Sequence, residues 1–344
     1  MTPAWRLPFL LLGFVALALG VAGGLARLTP SLEVAGTAIA LHGPLMVSAF
    51  FGTLIALERA VALDRLWAYL SPLASGLGGV LLLLGRPLEG FALLALAAAT
   101  FCAASTVVFR RQPSLEMGAL LAGALAWLVG NSLVFFGLPA VPWWIAFFAL
   151  TIGGERLELS RYLKRRPWVR QAFLVLTAAL LVAPLDPPAL GVVLVLLALW
   201  LFAFDLARVT VRQTLLPRFV AVCLLAGYFW LAVSGVLMLA QMAYDAALHA
   251  FFVGFVFSMV FGHAPVILPA VLRVRFPYSA ALYVPLVLLH GSLALRVLGS
   301  LLPESAPVLR LGAWGNAAAI ALFIATAAIL VFARKNGKVK KAAP

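Results

Sequence analysis

The sequence predicts an all-α, polytopic integral membrane protein, and three observations carry that reading. Of its 344 residues, 65% are hydrophobic and only 10% charged, where soluble domains are nearer half apolar and a quarter charged. The mean hydropathy is correspondingly high, at +1.12. The apolar residues gather into twelve runs, each near the roughly 18 to 25 residues that carry a helix across a bilayer. The basic residues between those runs fall mostly on one side.

The runs lie at about residues 7–28, 36–57, 66–84, 88–109, 115–137, 140–160, 168–184, 188–206, 217–241, 243–270, 278–301 and 311–333. The links are short and leave no room for a soluble domain. One transmembrane domain over 1–334 and a basic tail over 335–344 (KNGKVKKAAP) are expected. The first run competes with a signal-peptide reading, because Arg6, an apolar stretch and Ala22-Gly23-Gly24 follow that order. It is longer than a typical signal core and is read as the first span. The second run contains His42 and ends in Glu58 and Arg59. Asn131 in the fifth is read as an interhelical hydrogen bond. The sixth ends Thr-Ile-Gly-Gly-Glu-Arg-Leu-Glu-Leu-Ser, with Glu155, Arg156 and Glu158. Pro184, Pro187 and Pro188 put a tight turn between the seventh and eighth. The tenth holds His249 and His263, and the eleventh His290 and Arg296.

The chain has 25 Lys and Arg against 11 Asp and Glu, a net charge of +14. With the N-terminus in the cytoplasm, only Arg27, Arg86, Arg296 and Arg310 fall on or toward the far side, leaving 21 of the 25 inside. That is the positive-inside bias. The basicity therefore sets topology and attraction to anionic lipid, and no nucleic-acid partner is expected. The expected location is a bacterial inner (cytoplasmic) membrane, with both termini cytoplasmic.

Ionisable groups inside a bilayer are costly, so each is a functional candidate. All four histidines, His42, His249, His263 and His290, fall within apolar runs and none in a loop. The second and tenth runs both pass from outside to inside. His42 follows Gly36 by six residues and His249 follows Ala243 by six, so both lie about 9 Å below the outer end. His263 precedes Leu272 by nine residues, about 14 Å from the inner end, and His290 follows Tyr278 by twelve, about 18 Å from it. This sorts the histidines into an outer pair, His42 with His249, and an inner pair, His263 with His290.

His263 follows His249 by 14 residues, close to four turns, so both project from nearly one face, about 21 Å apart. The arrangement is similar to that of di-haem cytochromes b, where one helix carries two haems and facing histidines complete them. Two axial imidazoles give a low-spin electron-transfer haem. One or two b haems are therefore expected, with the four histidines as iron ligands. Cys102 and Cys223 lie in separate runs and form no CxxC or CxxCH motif, so they read as packed apolar side chains and any haem as non-covalent. His42-Gly43, His290-Gly291, Gly254 and Gly262 allow a flat group to approach the backbone, or simply close helix packing. Pro44, Pro265 and Pro269 are expected to bend their helices near the histidines.

Arg296 departs most clearly from the topology rule. It reads as a partner for a haem propionate or as a snorkelling interfacial arginine. Glu155, about 22 Å from Ala140 along its helix, reads with Glu58, Arg59 and Arg156 as a proton path or quinone-head site; Glu158 and Arg59 read rather as an ion-pair network. No Walker A motif, no GxGxxG after a strand, no HExxH and no cysteine cluster occurs, which argues against ATPase, dinucleotide, zinc-protease and iron–sulfur chemistry.

The segments LHGPLMVSAFFGTLIALERA around His42, ALHAFFVGFVFSMVFGHAP around His249 and His263, and LLHGSLALRVLG around His290, on a twelve-helix layout, resemble the NnrS-type haem- and copper-containing membrane proteins. Those are in turn distantly similar to the large subunit of haem–copper oxidases. The resemblance spans the chain as topology and these stretches as sequence. It implies haem, and copper more weakly. The family opens its second helix with a two-histidine motif where this chain has His42 alone, and a three-histidine copper site plus a haem would consume every histidine. It also implies a role in nitric oxide or respiratory electron-transfer metabolism, with a quinone or redox protein as partner. A twelve-helix secondary transporter, with histidines in its substrate or proton path, is the alternative; its support is the helix count and the repeated Leu-His before an aromatic-rich run. A cofactor-free assembly or quality-control protein is the third reading.

Overall fold

The computed structural model describes residues 3–163 and 166–332. The basic tail expected over 335–344 lies outside the described residues. Among those residues every regular element is helical. The main helices are α1 (Ala4–Ala26), α2 (His42–Leu63), α3 (Leu66–Leu83), α4 (Pro87–Arg111), α5 (Leu115–Phe135), α6 (Val141–Leu159), α7 (Pro167–Leu185), α8 (Pro187–Phe204), α9 (Leu215–Leu239), α10 (Tyr244–Leu272), α11 (Ala280–Leu301) and α12 (Ala306–Phe332).

Eleven of the described helices are long and apolar enough to cross a membrane. The chain is an all-α, multi-pass membrane protein. The one expected run outside that set is α6, and the reason is chemical: Glu155, Arg156 and Glu158 crowd its last turns. Thirteen of its 19 residues are buried, so protein rather than lipid covers most of it.

Consecutive helices pack as neighbours, α3 on α4, α4 on α5, α5 on α6, α8 on α9 and α11 on α12, while α1 lies against α2 and α3. Without a hydrophobic drive between helices in lipid, small residues set the approach. At the α8–α9 crossing, a Cβ on Gly191 would sit 2.6 Å from the Gly235 carbonyl oxygen and 2.5 Å from the Leu239 nitrogen; any larger residue would push the two backbones apart. The turn between α7 and α8 follows from its sequence. The Asp186 carboxylate accepts the Ala189 N–H at 3.0 Å, and Pro187 and Pro188 occupy first-turn positions where no N–H is needed.

Polar side chains are satisfied between helices. Asn131 Oδ1 accepts from Ser48 Oγ at 2.6 Å and from Trp144 Nε1 at 3.1 Å, and its Nδ2 donates to Leu94 O at 2.9 Å. Cys102 and Cys223 are buried and unpaired as thiols. Arg156 forms a two-pronged pair with Asp205, at 2.9 and 3.1 Å, joining α6 to the end of α8.

Two helices depart from regular α geometry at matching places. The chain before α2 forms a short turn over Gly36–Ala40, breaks at Leu41, and restarts at His42. Leu45–Phe51 is then π-helical. In α10, Ala243 is left-handed, the helix runs from Tyr244, and Ala250–Phe257 is π-helical directly after His249. Wider turns of this kind gather at functional sites. Pro44 falls in the first turn, and α10 continues through Pro265 and Pro269 to Leu272.

Candidate functional site

α1, α2, α6 and α10 together wall two cavities, one beyond the other along the helix axes. The larger, about 330 Å³, is lined by Gly24, His42, Trp144, His249 and Phe252, with Arg296 from α11 and Asn316 from α12. The smaller, about 150 Å³, is mainly apolar and contains Glu58, Thr151, Glu155 and His263.

In the first cavity the restart of α2 and the opening of α10 bring His42 and His249 together. Their ring centres are 6.4 Å apart and their planes differ by 16°. Each ring is held through Nδ1: His42 at 2.6 Å from Gly20 O, His249 at 2.7 Å from Asp245 O. A carbonyl only accepts, so Nδ1 carries a proton in both rings, which in the neutral tautomer leaves a lone pair on Nε2. Gly24 makes room for this, because a Cβ there would lie 2.7 Å from His42 Cε1.

Asp245 serves both sides of the cavity. Its Oδ2 lies 3.3 Å from His249 Nδ1 and 3.2 Å from Arg296 Nη2. Arg296 is buried, and its Nε has no hydrogen-bond partner among the described residues; neither has the buried Asn316 Oδ1. Arg27, at the rim, donates to Ile39 O at 2.9 and 2.7 Å and to Ala40 O. The sequence reading missed Asp245, although its spacing of four residues before His249 placed it on the same helical face. Arg27 and Gly24 were missed because only the fold brings α1 against His42.

The other two histidines are not brought together. His290 faces α9. Its Nδ1 accepts the Trp230 indole N–H at 2.9 Å, and its Nε2 lies 3.3 Å from Ser258 Oγ, which donates to Cys223 O at 2.7 Å. Both ring nitrogens are therefore used within the protein. His263 bonds through Nδ1 to Met259 O at 2.7 Å, and its buried Nε2 has no partner among the described residues. The inner pair expected on depth alone thus separates into a cavity histidine and a fully bonded one. Depth fixes height in the membrane but not the direction a side chain faces.

The carboxylate cluster also divides. Arg156 is engaged by Asp205, and Arg59 lies over the Phe101 ring, 5.9 Å from its centre. Glu158 pairs at the limit of 4.0 Å with Arg161. Glu58 and Glu155 line the second cavity and form no hydrogen bond or ion pair among the described residues. Between the two cavities stand aromatic rings: Phe51 lines both and meets Phe257 at 5.0 Å and Phe148 at 5.1 Å, and Phe148 meets Phe252 at 5.9 Å.

Residues 6–332 match a protein family described as a domain of unknown function, DUF8744. The chain belongs to that family. The match covers α1 to α12, so the DUF8744 domain includes both cavities and all four histidines. No curated protein matches the chain.

The DUF8744 site can be tested for what it is shaped to hold. Imidazole nitrogens about 2 Å from a metal, on opposite sides, set the two ring centres about 6 Å apart. The His42–His249 pair meets that spacing with both Nε2 lone pairs unassigned, and Arg296 offers an unpaired buried N–H to an anionic group. A haem with axial imidazoles and carboxylate side arms fits this donor set. Among the described residues no group of three or more His, Cys, Asp or Glu side chains is placed to hold a metal ion.

Proposed function

We propose that this protein is a b-haem membrane redox protein, with one haem held between His42 and His249. The observation that carries the reading is the ring pair: 6.4 Å between centres, planes within 16°, each Nδ1 fixed to a carbonyl. When bound, such a group supplies reversible one-electron transfer at iron. The protein's part is to hold and tune it. Gly20 O and Asp245 O fix the tautomer and ring orientation, and such outer partners raise ligand basicity. Arg296, anchored by Asp245, offers Nε–H to a propionate.

The positive-inside distribution supports cytoplasmic termini in a bacterial inner membrane, with the histidine cavity toward the outer face. The segments resembling NnrS-type proteins support a place in nitric oxide or respiratory electron-transfer metabolism. The deciding experiment is the absorption spectrum of the purified protein, oxidised and reduced. A reduced alpha band of the b-haem type is expected; a colourless protein, after expression with ample haem, overturns the reading.

One observation favours a second reading, a secondary transporter: two cavities in line, parted by a few phenylalanine rings, on the same four helices. Transport of a solute by haem-free protein in vesicles is the outcome that selects it.

A further inference from the structure

His290 is the intramembrane histidine that neither cavity uses. Its hydrogen bonds run in one direction. The Trp230 indole N–H donates to Nδ1 at 2.9 Å. In the neutral ring the proton then sits on Nε2, which lies 3.3 Å from Ser258 Oγ, and Ser258 donates onward to Cys223 O at 2.7 Å. Gly254 fixes the indole against α10, since a Cβ there would lie 2.4 Å from Trp230 Cβ and Cγ.

The partner of the Trp230 N–H is what sets it apart. Four other indoles among the described residues donate to an oxygen: Trp127 to Ser48 Oγ, Trp144 to Asn131 Oδ1, Trp200 to Val169 O and Trp314 to Thr29 Oγ1. Hydroxyl, amide and carbonyl oxygens are poor proton acceptors. Among the described residues Trp230 alone donates to a nitrogen base, and imidazole takes up a proton readily. This matters when an indole loses an electron. The ring is left positive and its N–H turns strongly acidic, in an interior with no water to solvate the charge. At Trp230 the proton can pass along the existing hydrogen bond to Nδ1. The charge then rests on an imidazolium with a partner at each N–H, the indole nitrogen and Ser258 Oγ, and hydrogen bonds to charged donors are about twice as strong as neutral ones. Trp230 itself is buried, but its ring lies 5.3 Å from that of Phe229, which is 55% exposed midway along α9, where hydrocarbon surrounds the bundle. An electron leaving Trp230 for an acceptor in the lipid has one ring to cross.

We propose that Trp230 and His290 form a proton-coupled redox pair that quenches lipid-soluble oxidising radicals of the peroxyl class. The indole gives one electron to the peroxyl radical. Its N–H bond breaks, and the proton forms a new N–H bond at His290 Nδ1. The products are a neutral tryptophanyl radical, an imidazolium and a peroxide anion, which takes a proton from water at the membrane surface to become the hydroperoxide. The inference goes beyond the haem reading and does not rest on it.

The test uses full-length, haem-free protein, grown with histidine isotope-labelled at its ring nitrogens and held in nanodiscs of dimyristoylphosphatidylcholine. A lipid-soluble azo initiator is photolysed under oxygen to supply peroxyl radicals, and the sample is frozen for pulsed electron paramagnetic resonance. The unaltered protein should show a neutral tryptophanyl radical with a hyperfine coupling to a labelled histidine nitrogen. Trp230→Phe should lose that coupled signal. His290→Gln keeps an acceptor for the N–H but removes the base; the coupling should vanish and the yield of neutral radical at Trp230 should fall at least about tenfold, the worth of one hydrogen bond to a charged group. The coupling in the unaltered protein needs no variant and decides the matter even if both variants misfold. A tryptophanyl signal without histidine coupling, no tryptophanyl radical at all, a coupled signal that survives Trp230→Phe, or an undiminished yield in His290→Gln each overturns the proposal. Because the protein is haem-free throughout, the outcome is separate from that of the haem reading.

Discussion

Asp245 and His249 meet across one helical turn, the imidazole Nδ1 lying 2.7 Å from the aspartate's main-chain carbonyl and 3.3 Å from its carboxylate. The same carboxylate holds Arg296 at 3.2 Å. Removing its charge should loosen both. Asp245→Asn is expected to weaken haem retention about tenfold, in line with other outer partners of metal-bound histidine. Titrating haem into apo-protein and following the reduced alpha band measures this. Unchanged retention would reduce Asp245 to a surface residue of α10.

His42 and His249 are expected to act as one unit. His42→Ala and His249→Ala should each remove the whole b-haem component, and the double variant should lose no more than either single one. Haem content per protein, from the pyridine haemochrome spectrum, is the measurement.

Gly24→Ala tests the pocket without touching a ligand. The added methyl would sit 2.7 Å from His42 Cε1 and 2.8 Å from its Nδ1, so the ring must turn away from Gly20 O. Haem content should fall severalfold while the detergent-solubilised protein still elutes as a single species. Full haem content would show that the His42 ring can absorb the methyl without losing its position.

His290→Ala separates structure from ligation. It strips the acceptor from the Trp230 N–H, at a cost of about 1 kcal/mol, between the roughly 0.6 measured for bonds inside membranes and the penalty for an unpaired buried group. The thermal midpoint should drop by a few degrees with haem content intact, and His290→Gln should recover part of the loss. Loss of a distinct haem component would instead restore the two-haem arrangement.

Topology is checked independently. With 21 of 25 basic residues on one side, a reporter fused after Pro344 should be active only in its cytoplasmic form.

The helices were legible because each must supply a long apolar run, and the links hide little. α6 was legible as a helix, and its Glu155-Arg156 end also marked one of the polar sites. The meeting of His42 with His249 could be anticipated because both helices enter from the same side and both histidines come near the start. His290 could not be placed this way, since its partner is an indole on α9 and nothing in its spacing names Trp230. The π-helical stretches Leu45–Phe51 and Ala250–Phe257 left no trace in runs that are apolar all round, where no face can be told from another. Asp205, which takes Arg156 from Glu155, sits some 49 positions away, beyond any local pattern.

The layer of Phe51, Phe148, Phe252 and Phe257 has an electrical consequence. These side chains carry no hydrogen-bonding atom and no dipole that can reorient, so they form a stretch of low dielectric constant between the two cavities. A voltage across the bilayer falls most steeply through the slab of lowest dielectric constant. Charge moved from one cavity to the other therefore does work against the field, up to about 2.3 kcal/mol per elementary charge for each 100 mV. An energised membrane would then bias the balance of charge between the two sides of those rings.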